Sequence, residues 1–368
     1  MPDSDRILAH YRIAAPAAEI AARARAIAVE QSVEMPLEAI ADSRVLSDIV
    51  GRVEAIEDRG DAFRVTVSLS AETVDGDAGQ LMNVLFGNSS LHDDVTLENA
   101  DLPGPLAARF GGPRVDMATR KARAGATGRP MSCAALKPQG LSVAALAQLA
   151  GRLALGGVDV IKDDHGLADQ AFSPFAERVA ACAAAVRTAN AETGGSTLYA
   201  PSVTGDLDRM RAQLRLAADE GLSAALIAPM ISGLPAFRAL AIEFPHMALI
   251  AHPAMGGAQR IAAPLLIGKL FRLFGASAVI FPTFGGRFGY SAQTCAEIAA
   301  AARSSWPGVS PALPAPAGGV TLERLDEIVE FFGRDAMILI GGALLAAPDV
   351  TACARQFATR LNAFAERP

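Results

Sequence analysis

Four consecutive polar residues near the middle of the chain have side chains suited to acid–base, metal or carbonyl chemistry. They follow the β-branched run 158–161 and are Lys162, Asp163, Asp164 and His165. An apolar run that stops abruptly in polar residues is typical of a buried parallel strand whose C-terminal end opens into a site. In a β/α barrel, that end of each strand carries the catalytic groups. A plainer interpretation is a surface ion pair, which requires no function.

Lys162 admits two chemistries, and the residues alone leave both open. As a free amine it could form a Schiff base with a carbonyl substrate. As a carbamate it would become an oxygen ligand, beside Asp164, for a hard cation such as Mg²⁺. Neighbouring carboxylates stabilise the protonated amine and oppose the Schiff base unless the lysine is desolvated. His165 could be a further ligand or a structural residue, since imidazole prefers softer metals than magnesium.

Other apolar runs also end in residues that could contact a substrate. They are Lys137 after the first run, His252 after the fifth, Arg287 after the sixth, Gly318 and Gly319 after the seventh, and Gly341 and Gly342 after the eighth. The two glycine pairs predict exposed backbone N–H groups that bind a phosphate, although turn glycines are the alternative. Arg287 could add a permanent charge to this site, and its glycine-flanked loop could act as a lid.

Residues 128–368 predict the scaffold that positions these residues. The predicted strands end at Lys137, Lys162, Ser202, Ala228, His252, Pro282, Ala317 and Ile340. The predicted helices between them include 142–155, 174–188, 206–220, 265–273, 292–303 and 322–332. Such alternation over about 240 residues predicts an α/β fold, a complete (β/α)₈ TIM barrel. A doubly wound fold is disfavoured because no G-x-G-x-x-G follows the first strand of a unit.

Residues 1–127 predict a separate α+β domain. The predicted elements are a strand at 7–14, a helix at 17–29, a hairpin of 44–55 and 62–70, a helix at 79–85 and a strand at 95–102. This order is that of a ferredoxin-like sandwich. The glycine-, proline- and arginine-containing segment 104–128 is predicted to be a linker to the barrel.

Composition narrows the class of protein. A net charge of −6, without any Lys/Arg-rich run, argues against a nucleic-acid partner. The alanine-rich segment 14–29 contains Glu19, Arg23 and Arg25, so neither a membrane span nor a signal peptide is expected. The four cysteines never form a C-x-x-C pair, which disfavours a zinc site or a disulfide framework. A cytoplasmic protein with reduced thiols is therefore expected.

The segments singled out above resemble those of the ribulose bisphosphate carboxylase (RuBisCO) large chain. G-G-V-D-V-I-K-D-D at 156–164 resembles its activation-lysine segment, and K-P-Q-G-L-S at 137–142 resembles its strand-1 motif. The glycine pairs resemble its phosphate loops. The resemblance covers nearly the whole chain in order and implies Mg²⁺ bound with a CO₂-derived carbamate on Lys162. It also implies a homodimer in which Glu30 and Asn88 complete the partner chain's barrel site.

Departures from the carboxylase pattern argue against CO₂ fixation by this chain. His165 stands in place of a ligand glutamate, Arg287 in place of the loop lysine, and Pro253 in place of an arginine that holds a second phosphate. Gln139 and residues 35–36 depart as well. The chain therefore resembles the non-carboxylating, RuBisCO-like branch, and the resemblance implies a ligand with one phosphate and an uncharged opposite end.

The branch implies chemistry through an enediolate, and we favour isomerisation of 5-methylthioribulose-1-phosphate to 1-methylthioxylulose-5-phosphate in methionine salvage. The implied metal ligands are Lys162, Asp164 and His165. Lys137 would move the proton or stabilise the enolate, and His252 would reprotonate carbon or hold a hydroxyl. Alternatives are 2,3-diketo-5-methylthiopentyl-1-phosphate enolase, whose lysine base would fall near Asp94, and 3-oxo-isoapionate-4-phosphate decarboxylase. A Schiff-base aldolase using Lys162 or Lys137, and a non-catalytic sugar-phosphate binder, are the competing classes.

Overall fold

The computed structural model describes residues 6–365, which separate into two compact units. The first unit comprises residues 6–111, Met255–Leu266 and Trp306–Val309. The second comprises Gly112–Ala254, Ile267–Ser305 and residues 310–365. Within this described range, none of the helices combines the length and apolar character needed to cross a membrane.

The first unit is built on a four-stranded antiparallel sheet. Its strands are β1 (Arg6–Ile13), β2 (Arg52–Asp58), β3 (Phe63–Ser70) and β4 (Val95–Asp101), in the spatial order β2-β3-β1-β4. Its helices are α1 (Ile20–Glu30), α2 (Ala78–Phe86) and α3 (Gly104–Phe110), with short 3₁₀ or π-helical turns at Leu37–Ala39, Val45–Ile49, Ala71–Thr73, Asn88–Leu91 and Gly256–Ala258. The strand–helix–strand–strand–helix–strand order confirms the ferredoxin-like prediction.

Strand β1 forms the centre of this sheet because its apolar residues alternate. Ile7, Ala9, Tyr11 and Ile13 are completely buried. Residues two apart share one face of a strand, so these four side chains face the core of the unit. The Tyr11 hydroxyl donates a hydrogen bond of 2.6 Å to the carbonyl oxygen of Leu85, which joins the sheet to α2.

Two segments differ from the sequence prediction. Residues 44–55, predicted as one strand, begin with the π-helical turn Val45–Ile49, and β2 starts only at Arg52. The apolar residues Val45 and Ile49 are four apart, which is a helical spacing rather than the period of two in a strand. The predicted linker 104–128 contains two helices, α3 and α4 (Met117–Arg123).

The second unit contains eight parallel strands. They are β5 (Met131–Leu136), β6 (Val160–Asp163), β7 (Leu198–Ala200), β8 (Ala224–Ile227), β9 (Ala248–Ala251), β10 (Ala278–Pro282), β11 (Leu313–Ala317) and β12 (Met337–Ile340). They pair in the orders β12-β5-β6-β7 and β8-β9-β10-β11. Backbone hydrogen bonds of Leu226 with Pro201 and Val203 join β7 to β8, and β11 lies beside β12. The ring closes, which confirms the predicted TIM barrel.

Helices follow the barrel strands. They are α5 (Val143–Leu155), α6 (Phe175–Thr193), α7 (Leu207–Asp219), α8 (Pro229–Ser232), α9 (Leu234–Glu243), α10 (Phe271–Leu273, preceded by the π-helical stretch Pro264–Leu270), α11 (Ala292–Arg303), α12 (Leu325–Phe332), α13 (Gly342–Leu345) and α14 (Val350–Asn362). The side chains of Ser142, Asp206 and Ser291 each accept a backbone N–H bond in the first turn that follows. These N-caps explain where α5, α7 and α11 begin.

One apolar cluster fills the barrel, and all eight strands contribute to it. The cluster includes Val160 of β6 and Ile250 of β9. Because residues two apart along a strand face the same side, the same alternation turns Lys162 and His252 toward the barrel axis. The strands therefore place these polar side chains above the apolar core, at the C-terminal end of the barrel.

Candidate active site

Asp164, in the loop after β6, is the centre of a polar cluster at this end of the barrel. Its Oδ1 atom lies 2.9 Å from Lys137 Nζ and 3.4 Å from His165 Nδ1. Its backbone N–H donates to the carbonyl oxygen of Leu136 at the end of β5. Burial raises the pKa of Asp164, but hydrogen bonds from His165 and Lys137 outweigh it and hold the pKa well below its usual range. Asp164 is therefore a carboxylate at neutral pH.

Lys162 is almost completely buried, with 3% of its surface exposed. Its Nζ atom donates a 2.8 Å hydrogen bond to the backbone carbonyl of Asp163. Burial lowers the pKa of the Lys162 amine, which favours its neutral form. A neutral amine can react with CO₂ or with a carbonyl group, so the desolvation that either predicted chemistry requires is present.

The rings of His165 and His252 stack at the mouth of the barrel, with centroids 4.0 Å apart. Burial is the main cause that lowers the pKa of His252 to about 2, with smaller contributions from the nearby Lys162 and His165, so its ring is neutral at pH 7. The Ala254 N–H donates to Nδ1 of His252 at 3.1 Å. Nδ1 is thus an acceptor, and the proton of the neutral ring lies on Nε2. His252 can therefore donate a hydrogen bond from Nε2 to a substrate oxygen.

Asp163 has a structural role that the sequence pattern did not reveal. Its carboxylate accepts hydrogen bonds from Arg178 Nε at 3.0 Å, the Tyr199 hydroxyl at 2.8 Å and the Ser202 N–H at 3.0 Å. Arg178 also donates to the carbonyl oxygens of Ser173 and Ala168. The side chains of Asp163 and Arg178 are completely buried. This network fixes the start of the loop that carries Asp164 and His165. The sequence did contain one sign of this network, because Arg178 lies at helical spacing on an otherwise apolar face of α6.

The two glycine pairs differ in why they are glycine. Gly318 and Gly319 have φ values of +72° and +105°, and a Cβ atom on Gly319 would lie 2.7 Å from the Cα of Gly286. Loop packing alone therefore requires glycine there. A Cβ on Gly341 or Gly342 would meet no heavy atom of the described residues within 4 Å. Packing does not explain that second pair, whereas close approach of a ligand to the backbone would.

Three other predicted site residues have contacts of their own. The Arg287 guanidinium carbon lies 4.8 Å from the centroid of the Phe288 ring. This contact does not test the predicted phosphate contact of Arg287, which stays a prediction. In the first unit, Asn88 Nδ2 donates to Glu30 Oε1 at 2.8 Å and to Glu34 Oε1 at 2.9 Å. The structure therefore brings Glu30 and Asn88 together as one hydrogen-bonded group.

Two more positions compared above also have side-chain contacts, namely Gln139, which departs from the carboxylase pattern, and Asp94, where the enolase would need a lysine base. The Gln139 side chain donates to the carbonyl oxygen of Gly166 at 2.9 Å, which ties the loop after β5 to the loop after β6. Asp94, at the position compared with the base of the enolase, accepts two hydrogen bonds from the Arg23 guanidinium at 2.6 and 3.2 Å. Partial burial raises the pKa of Asp94, but the hydrogen bonds and charge of Arg23 outweigh it and lower the pKa, so Asp94 is a poor substitute for a lysine base.

The side chains near Asp164 fit the predicted Mg²⁺ site only if Lys162 is a carbamate. Within residues 6–365, no three His, Cys, Asp or Glu side chains are grouped so that they could hold a metal ion. A carbamate on Lys162 would add oxygen donors near Asp164, and oxygen donors are those that Mg²⁺ prefers. His165 lies beside Asp164 but offers nitrogen, which suits softer metals better.

A cavity of about 640 Å³ lies at the opposite end of the barrel. Its wall includes Leu198 at the start of β7, and Ser223 and Met247, which immediately precede β8 and β9. Catalytic groups of β/α barrels lie at the C-terminal ends of the strands. We therefore place the candidate site at the Asp164 cluster and not at this cavity.

Comparison with known proteins shows extensive similarity. Residues 116–363 match the family model of the ribulose bisphosphate carboxylase large chain, catalytic domain. The 5-methylthioribulose-1-phosphate isomerase of Rhodospirillum rubrum is 56% identical over 348 residues, 94% of this chain and 93% of that protein. The 2,3-diketo-5-methylthiopentyl-1-phosphate enolase of Geobacillus kaustophilus is 31% identical over 81% of this chain and 78% of that protein. The crystal structure of a RuBisCO-like protein from Rhodopseudomonas palustris superposes with a TM-score of 0.92, at 50% identity and 99% coverage of both chains.

Proposed function

Because the chain belongs to the RuBisCO large-chain family, we propose that it converts 5-methylthioribulose-1-phosphate to 1-methylthioxylulose-5-phosphate and does not fix CO₂. The observation that carries this proposal is the Asp164 cluster, in which Lys137 and His165 contact one carboxylate above a buried Lys162. The name of the Rhodospirillum rubrum relative, at 56% identity, supports the choice of substrate.

The proposed reaction moves a carbonyl group along the pentulose by two successive 1,2-shifts. In each shift a proton leaves a carbinol carbon, an enediolate forms, a proton returns to the former carbonyl carbon, and the hydroxyl proton passes from the carbinol oxygen to the former carbonyl oxygen. No atom or electron is gained or lost overall. The protein must therefore transfer a proton between adjacent carbons and stabilise negative charge on oxygen.

Lys137 and His252 are the residues that we assign to these tasks. Lys137 Nζ is held 2.9 Å from Asp164, and its side chain is about one-third exposed, so it can reach a substrate at the mouth of the barrel. It would deliver the proton or donate to the enediolate oxygen. His252 would hold a substrate oxygen through Nε2–H, since its Nδ1 already accepts from Ala254.

Mg²⁺ with a CO₂-derived carbamate on Lys162 is the cofactor that we propose. The carbamate and Asp164 would hold the ion, whereas His165, which the sequence also suggested as a ligand, offers nitrogen and is assigned to the stack on His252. When bound, Mg²⁺ supplies Lewis-acid stabilisation of negative charge on oxygen. The low pKa of Asp164 keeps its carboxylate ionised for this purpose.

The substrate phosphate and the assembly complete the proposal. The phosphate would bind at the backbone of Gly318, Gly319, Gly341 and Gly342, with Arg287 supplying a positive charge. The protein would act in the cytoplasm as a homodimer in which the hydrogen-bonded pair of Glu30 and Asn88 completes the partner chain's site.

Phosphorus and proton NMR in D₂O, with Mg²⁺ and bicarbonate present, tests the reaction. We expect the resonances of 5-methylthioribulose-1-phosphate to be replaced by those of the xylulose isomer, and EDTA to stop the conversion. An unchanged ketose phosphate would refute the isomerase. Turnover of 2,3-diketo-5-methylthiopentyl-1-phosphate or CO₂ release from 3-oxo-isoapionate-4-phosphate would instead identify the enolase or the decarboxylase. Borohydride trapping of the protein on the ketose would identify an aldolase.

A further inference from the structure

Arg324, immediately before α12, connects two loops at the C-terminal end of the barrel. Its Nη2 donates to the carbonyl oxygen of Phe284, in the loop after β10, at 3.2 Å. Its Nη1 donates to the carbonyl oxygen of Gly319, in the loop after β11, also at 3.2 Å. The first loop carries Arg287 and the second carries a predicted phosphate-binding glycine pair. One side chain therefore joins two parts of the predicted phosphate site.

The Arg324 guanidinium is itself held from its other side. Glu327, one helical turn later, accepts hydrogen bonds from Nε at 3.0 Å and from Nη2 at 3.1 Å. The guanidinium carbon also lies 5.4 Å from the centroid of the Phe284 ring, within cation–π range. Its side chain is 25% exposed. A guanidinium group fixed in this way is preorganised to donate hydrogen bonds to the two carbonyl oxygens. A lysine ammonium could not make all these contacts.

The backbone of the loop after β10 is shaped for this contact. A Cβ atom on Gly285, whose φ is +66°, would lie 3.1 Å from Arg324 Nη2. A Cβ atom on Gly286 would lie 2.0 Å from the carbonyl oxygen of Gly318, so a side chain there would push the two loops apart. The Thr283 N–H closes the base of the loop by donating to Ala317 at 2.7 Å.

The tip of the same loop, at residues 287–288, is exposed on its outer side. Arg287 is exposed, and Phe288 exposes 55% of its surface although the edge of its ring packs beside Gly318. The loop of residues 283–290 is therefore fixed along its first half and open at its tip. Its position over the glycine pair depends on the contacts of that first half.

We propose that Arg324 is a positioning residue that fixes the loop of residues 283–290 against Gly318 and Gly319 and thereby forms the phosphate-binding part of the site. It acts through the two loops and does not touch the reacting carbons. The identity of the ligand as a sugar monophosphate rests on the proposed function. The clamp itself rests on the Arg324 contacts alone.

Limited trypsin digestion followed by mass spectrometry tests the clamp, because Arg287 is a cleavage site within the loop. Loss of two carbonyl hydrogen bonds in Arg324→Met should accelerate cleavage after Arg287 about tenfold. Arg324→Lys should give an intermediate rate, and Glu327→Gln, which loosens the guanidinium but retains both carbonyl bonds, should raise the rate less than Arg324→Met does. Cleavage after the exposed Arg59 in the β2–β3 hairpin is the internal control and should be equal in all proteins. A wild-type rate after Arg287 in Arg324→Met would overturn the clamp.

Protection by inorganic phosphate tests the link to ligand binding without requiring turnover. In the wild type, phosphate should slow cleavage after Arg287, and about tenfold more phosphate should be needed in Arg324→Met. Equal protection of both proteins would overturn the role of Arg324 in the phosphate site. In steady-state assays with a substrate that the enzyme converts, Arg324→Met should raise KM more than it lowers kcat. Absence of isomerase activity would refute the proposed function while leaving both proteolysis results interpretable.

Discussion

The imidazole rings of His165 and His252 stack almost in parallel, with 11° between their planes. His165 follows β6 and His252 follows β9, two strands that are three positions apart in the barrel ring. The contact therefore joins His252 to the Asp164 cluster across the barrel mouth. A glutamate, the residue that true carboxylases are expected to have in place of His165, could not form this stack.

Replacing His165 tests whether it acts by stacking or by binding metal. His165→Phe keeps an aromatic ring beside His252, and His165→Ala removes it. Because an aromatic pair contributes roughly 0.5–1.5 kcal/mol, we expect the alanine variant to lose about three- to tenfold in kcat/KM and the phenylalanine variant to lose less. Both variants should need the same Mg²⁺ concentration as wild type. A large increase in the Mg²⁺ requirement of His165→Phe would identify His165 as a ligand instead.

Lys162→Met should abolish turnover while preserving the fold, because methionine keeps an unbranched apolar chain in a buried position but cannot form a carbamate. Phosphorus NMR measures turnover, and carbon NMR with ¹³C-bicarbonate measures the carbamate. The matched control is Lys137→Met, which should lose turnover but keep the carbamate resonance. Persistent turnover in Lys162→Met, or a carbamate resonance in that variant, would contradict the assigned role of Lys162.

The sequence predicted the barrel and several of its polar residues because the relevant signals are local. Alternating apolar residues and an abrupt polar end fix both the position of a strand and the side that its last residues face. This reasoning placed Lys137, Asp164 and His252 at strand ends, and the structure brings them to one end of the barrel. The strand prediction for the first part of segment 44–55 was wrong because a short apolar run suits a strand or a helical turn equally well.

Contacts across the barrel could not be predicted in the same way. The stack of His165 on His252 depends on which strands face each other, and no local pattern contains that information. The partners of Asp163 were likewise hidden, because alternation turns its side chain away from the barrel axis but does not show which residues it meets there. Only the strand register shows that Asp163 faces Arg178 and Tyr199, while Asp164 faces the site.

Tyr199→Phe tests how strongly the Asp163 network stabilises the barrel. It removes a hydrogen bond to a buried carboxylate, for which we expect a loss of about 1.5–3 kcal/mol in the free energy of unfolding. Tyr11→Phe is the matched control, because the Tyr11 hydroxyl is equally buried but donates to the neutral carbonyl of Leu85. Its expected cost is about 0.5–1.5 kcal/mol. Urea denaturation measures both, and a smaller loss for Tyr199→Phe than for Tyr11→Phe would contradict the importance of the network.

Gly342→Ala tests whether the second glycine pair binds phosphate. Gly342 begins α13, and an added Cβ would meet no heavy atom of residues 6–365 within 4 Å. Alanine should therefore leave stability unchanged or raise it by about 0.5–1 kcal/mol, as expected for a helical glycine. If a phosphate approaches this backbone, the methyl group should raise the substrate KM about tenfold or more, because it displaces the anion from the N–H groups. Gly151→Ala, in the interior of α5 with only ordinary contacts to Ala185, is the control and should gain similar stability without a change in KM. Equal KM values for Gly342→Ala and wild type would show that the phosphate binds elsewhere.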